Sequence, residues 1–145
     1  MNRRLFLSAK VSGAFGGASA ADSTCQSTAA NAGLTGTWLA VIGANALTRF
    51  SGPGPFMSIN AVVIFANRAG LSKAPLAALV YDVAGTSVSG TSVWTGARAD
   101  CTGWTTDVST QSGTIGDVVP SGGDGWLDEG TYPCATKLRL LCAEQ

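Results

Sequence analysis

Two stretches close together in the chain, TSVWTGARADCTGWTTD (91–107) and GWLDEGTYPCATKLRLLCAEQ (125–145), decide how it folds, because they hold three of its four cysteines and three of its four tryptophans. Between Cys134 and Cys142, Lys137-Leu138-Arg139-Leu140-Leu141 alternates polar and apolar side chains before a closing apolar pair, which predicts a strand. A strand that late in the sequence needs an earlier partner. RLFLSAK (4–10) offers one, with Leu5 and Leu7 on one face and Phe6 and Ser8 on the other. Antiparallel pairing of the two would bring the ends of the chain together.

Cys25 follows that first strand in GGASAADSTCQSTAANAG, where Ala21, Cys25, Ala29 and Ala32 recur at helical spacing and Gly33 supplies a C-cap. A helix here would lie beside the last strand, so Cys25 to Cys142 is the expected bond, which leaves Cys101 and Cys134 to each other. This is one of three connectivities open to four cysteines.

The ordered set RLFLSA, GG-x3-AD-x2-CQ, AGLTGTWLA, SVWTG, C-x2-W and C-x7-C with LCAEQ resembles endostatin and the bacterial endostatin-like domains, compact versions of the C-type lectin fold. The likeness covers residues 4–44 and 91–145, and 45–90 only loosely. It implies an α+β domain spanning 1–145, with paired terminal strands and nested disulfides Cys25–Cys142 outside and Cys101–Cys134 inside. Two endostatin properties do not carry over. Its heparin affinity rests on arginine clusters and its zinc site on histidines, and this chain has neither.

Composition narrows the function further. Charged residues are 12% of the chain, nine basic and nine acidic, giving a formal net charge of zero. No basic patch suits nucleic acid, polyanions or an anionic membrane. No apolar run reaches the ~18–20 residues of a membrane span. The longest, NAVVIFA (60–66), suits a buried strand. The N-terminal MNRRLFLSAKVSGAFGGASAAD imitates a secretory signal, yet Lys10 interrupts its apolar core and Gly13, Gly16 and Gly17 weaken it as a helix. Residues 1–10 are therefore read as part of the fold, with no cleaved signal peptide.

In the middle of the chain, TWLAVIGA (37–44) predicts a strand, SGPGP (51–55) a loop opening into a strand at Phe56, and 57–70 either strand or short helix. Residues 76–94 predict two strands around a turn. The polar stretch TTDVSTQSGTIGDVVPSGGDG (105–125) predicts a long loop stapled by Cys101–Cys134; closing some 33 residues contributes roughly 3–4 kcal/mol in the chain-entropy estimate.

That loop is the expected binding site, with Trp104 and Trp126 as apolar faces for a sugar ring or receptor, and Thr105, Asp107, Asp124 and Asp128 as polar partners. The competing role for each tryptophan is to cover a disulfide. Asp117, Asp124, Asp128 and Glu129 would suit calcium by ligand type, but the lectin signatures Glu-Pro-Asn, Gln-Pro-Asp and Trp-Asn-Asp are missing, and Trp126-Leu127-Asp128 only echoes the last. No metal and no cofactor are expected.

The absence of histidine removes Ser-His-Asp and Cys-His catalysis, and a non-enzyme is expected. Disulfides belong to oxidising surroundings, while no export signal is read here; a virion protein, made in the cytosol and released, satisfies both. The expected role is a binding or structural module on a phage virion, as decoration or receptor-binding protein. Its partners would be other proteins of the assembly and a cell-surface glycan or receptor. The alternative is a secreted or surface-attached bacterial adhesin that recognises glycan or protein.

Overall fold

The structure, a computed structural model, describes residues 2–145. In chain order its elements are β1 (Arg3–Leu7), α1 (Ala18–Asn31), β2 (Trp38–Ala40), β3 (Phe56–Ser58), β4 (Val63–Phe65), β5 (Ser92–Trp94), the one-turn α2 (Cys101–Trp104), β6 (Ser112–Asp117), β7 (Gly130–Pro133) and β8 (Leu141–Glu144). Short 3-10 turns lie at Ala46–Arg49, Arg68–Ser72 and Pro120–Gly125. The architecture is α+β, a five-stranded sheet ordered β2-β8-β1-β3-β4 and a three-stranded sheet ordered β5-β6-β7.

The two ends of the chain meet at the centre of the larger sheet. β1 pairs antiparallel with β8 in the register Leu5↔Ala143, Phe6↔Cys142, Leu7↔Leu141, and parallel with β3 on its other side. Period-two alternation then sorts the side chains into two cores. Leu5, Leu7, Leu141 and Ala143 join Phe50, Phe56, Phe65 and Trp126 in one. Phe6, Leu140 and Cys142 join Ala21, Cys25, Ala29, Trp38, Trp94 and Trp104 in the other. Full burial of each large side chain contributes about 1.5–3 kcal/mol, so β1 is a principal source of stability despite its five residues.

α1 presents Ala21, Cys25 and Ala29 to the sheet, and its C-cap Ala32 is followed by Gly33, whose φ of +77° suits a residue without Cβ. Its small residues let the backbone approach closely enough for the Cys25–Cys142 disulfide, with Cα atoms 5.5 Å apart. The helix also closes the sheet edge. Asp22 Oδ1 accepts the Ala40 N–H at 2.9 Å and Gln26 Oε1 accepts the Trp38 N–H at 2.9 Å, while Arg49 and Gln26 donate to the Ala40 and Gly36 carbonyls. Side chains of α1 thus stand in for a missing strand along β2, leaving that edge no free donors at Trp38 and Ala40 for another chain to pair with.

The second disulfide, Cys101–Cys134, joins α2 to the end of β7, so both expected pairings are present. Other expectations need correction. The strand foreseen at 137–141 begins at Leu141, because Leu138 bridges to Val11 and Arg139 to Val93, carrying the chain from one sheet to the other. Arg139 secures this crossing by donating to the carbonyls of Ser8, Ser89 and Gly90. Ala32 is exposed rather than on the buried helix face. NAVVIFA forms the edge strand β4, with Ile64 and Phe65 buried but Val62 and Val63 each 36% exposed. Of two strands foreseen in 76–94, only β5 is a strand; Tyr81 and Ser87 make a single bridge around a turn where Asp82 Oδ1 accepts from Ala84 and Thr86. The supposed long loop contains β6, the middle strand of the smaller sheet.

Candidate functional site

The region enclosed by Cys101–Cys134 begins with an unusual turn. Cys101, Thr102, Gly103 and Trp104 have φ of +51°, +56°, +67° and +62°, one left-handed turn in which three residues carry a Cβ. Such backbone costs roughly 1–2 kcal/mol per L-residue. Asp100 supports it by accepting the Gly103 N–H at 3.1 Å. The turn drives the Trp104 indole inward, where it stacks on Phe15 at 4.7 Å between centroids and tilts against Trp94 at 5.8 Å. Gly96 makes room, since a Cβ there would lie 2.5 Å from Trp104.

The expected site residues do not converge. Trp104 is 4% exposed, and Trp126 is wholly buried in the opposite core, its Nε1 donating to the Leu71 carbonyl at 2.8 Å and its ring packed on Phe50 and Phe65. Neither tryptophan offers a ring face to a ligand, which corrects their assignment as surface anchors. Thr105 and Asp107 are exposed on the loop after the left-handed turn, and the Thr105 hydroxyl donates to the Thr102 carbonyl. Asp124 lies elsewhere, accepting the Ala74 N–H at 2.9 Å with Lys73 3.7 Å away. Asp128 pairs with Arg98 through two bonds of 2.6 and 2.7 Å. Those bonds hold the Asp128 carboxyl below its ordinary range and raise the Arg98 guanidinium.

Two concave surfaces are lined by other residues. One, of about 370 Å³, is lined by Asn2, Arg4, Met57, Ser58, Ile59, Ala61 and Glu144. Its wall is a fixed ion pair: the Arg4 guanidinium donates to both Glu144 oxygens at 2.6 and 2.9 Å and lies over the Trp38 ring, 5.4 Å from its centroid. Hydrogen bonding from Arg4 lowers the Glu144 carboxyl below its ordinary value. The other groove, of about 260 Å³, runs along Gly43–Thr48 to Ala97 and Leu127, beside the Arg98–Asp128 pair. No sequence pattern announces either, since their walls come from segments far apart in the chain. Among the described residues, no group of three or more His, Cys, Asp or Glu side chains is placed to hold a metal ion.

No protein-family model matches this chain. No curated protein matches it either.

Proposed function

We propose that the chain is a non-catalytic binding or structural module of the endostatin-like, C-type-lectin-like kind, displayed on a larger particle, most simply a phage virion. The observation that carries this reading is the mechanical plan: terminal strands paired at the sheet centre, a helix bonded to the last strand by Cys25–Cys142, and a second, nested disulfide closing the region where lectin-like folds place their ligand loops. The motifs behind the resemblance in sequence fall on these joints.

Buried tryptophans shift the expected contact with a glycan, receptor or neighbouring particle protein to what remains exposed around the inner disulfide. Thr105, Asp107 and Val108 form one part of that surface and Tyr132 another, with Val108 and Tyr132 48% and 43% exposed. Aromatic and aliphatic side chains beside polar groups suit protein contacts. The test is mass spectrometry of gradient-purified particles from a host carrying the gene. Recovery of the chain as a stoichiometric particle component, with peptides from Arg3 onward, supports the reading. Recovery only from particle-free medium contradicts it and favours a secreted adhesin. Loss of residues 1–20 in that pool would remove β1 and with it the centre of the sheet.

A further inference from the structure

The two disulfides are held by very different surroundings. Cys142 lies in β8, flanked by Phe6 of β1 and Ala40 of β2 in the hydrogen-bonded sheet, and Cys25 lies in the middle of α1. Reaching their sulfurs requires lifting the whole of α1 off the larger sheet, with Ala21 and Ala29 wholly buried beside the bond. The Cys101 sulfur is instead covered by Gly13, whose position is so close that a Cβ there would collide with it, and by Gly113, where a Cβ would lie 2.9 Å away. Gly13 belongs to a segment outside the main elements, tied down by its N–H to the Cys134 carbonyl and by the Gly16 N–H to the Trp104 carbonyl. Local opening of such a segment exposes the bond without unfolding the sheets.

The backbone beneath that bond is also the part of the molecule with a motive to rearrange. Of the four non-glycine residues with positive φ among those described, three are Cys101, Thr102 and Trp104. We propose that Cys101–Cys134 is a thiol-sensitive clamp. When it is reduced, the left-handed turn relaxes, Trp104 leaves its place between Phe15 and Trp94, and the 105–111 loop is released, while the five-stranded sheet and Cys25–Cys142 stay intact. In reducing surroundings the loop is open, and oxidation sets it. The reductant is a dithiol. Its thiolate attacks one cysteine sulfur, the other cysteine leaves as thiolate, and the second thiol resolves the mixed disulfide; two protein thiols form as the reductant closes its own disulfide.

The test uses the oxidised full chain with dithiothreitol under native conditions, alkylation at timed intervals, peptide mapping, and limited proteolysis of the same samples. Cys101 and Cys134 should become labelled roughly tenfold or more faster than Cys25 and Cys142, with new cleavage inside 105–112 and unchanged far-ultraviolet circular dichroism. Thr102→Gly, which removes a Cβ from left-handed backbone, should slow this reduction about fivefold. Simultaneous labelling of all four cysteines, earlier labelling of Cys25 and Cys142, reduction that leaves the loop uncut, or a Thr102→Gly variant reduced as fast as the parent would each overturn the clamp.

Discussion

The two sheets are stabilised in opposite ways. The larger one consists of short strands whose buried residues face alternately into two cores, whose centre joins both ends of the chain, and whose β2 edge is closed by Asp22 and Gln26. The smaller one is built around SGTIGD, with glycines at 113 and 116 where a Cβ would strike Trp94 or the backbone near Trp126. Its position depends on a disulfide, a left-handed turn and the crossing at Arg139. Regular packing makes the first sheet a frame. Close approach of backbone, which only glycine permits, lets β6 of the second sheet lie against Trp94 of its own neighbour β5 and against the backbone at Trp126, with strain carried at 101–104.

Replacing both Cys25 and Cys142 by alanine should have the largest effect on this contrast. The bond closes a separation of 117 residues, worth about 5 kcal/mol in the chain-entropy estimate, against about 4 kcal/mol for the 33-residue separation of Cys101 and Cys134. Chemical denaturation of the two double variants measures the ordering, and a larger loss for the inner pair would invert the roles of frame and dependent sheet. Next comes Trp126→Ala. With the indole buried between Phe50 and Phe65, it should cost about 3–5 kcal/mol of stability. A folded, fully stable variant that had lost only binding would restore this residue to a site.

Asp22→Ala opens the β2 edge, leaving the Ala40 N–H without its acceptor and Arg49 without its carboxylate partner, though still bonded to the Ala40 carbonyl; a loss of about 1–3 kcal/mol is expected, with a tendency to self-associate in sedimentation. Smaller still is the effect of Glu144→Gln, about 1 kcal/mol near neutral pH. Because Arg4 depresses the Glu144 carboxyl in the folded protein, its contribution is present above the ordinary value of 4.5 and is lost as pH falls through the folded-state value. The parent should therefore lose melting temperature below pH 4.5 more steeply than the variant. Arg98→Ala, at an exposed pair, should not change the melting temperature measurably.

How much of this was legible in the sequence follows the same division. RLFLSAK and the Cys25 helix were readable because alternation and helical spacing report directly on burial, and they led to the disulfide pairing. β6 was hidden because Ser, Gly, Thr and Asp are turn residues by composition, and its strand state comes from the neighbours β5 and β7. The tryptophans misled for a related reason: flanking a polar stretch says nothing about which way an indole points. Trp104 turns inward only because four successive residues are left-handed, and no spacing rule signals that. Nothing in the sequence around Asp128 signals its partner, as Arg98 lies 30 residues earlier and meets it only through the β5–β6 pairing and the turn beyond it.

Native-state hydrogen exchange followed residue by residue tests the division into frame and dependent sheet most directly. Amides of Phe6, Leu7, Cys142 and Ala143 should exchange only through global unfolding, while those of Gly113, Thr114 and Ile115 should open at distinctly lower free energy, and lower again once Cys101–Cys134 is reduced. Equal protection in both sheets, unchanged by reduction of that bond, would contradict it.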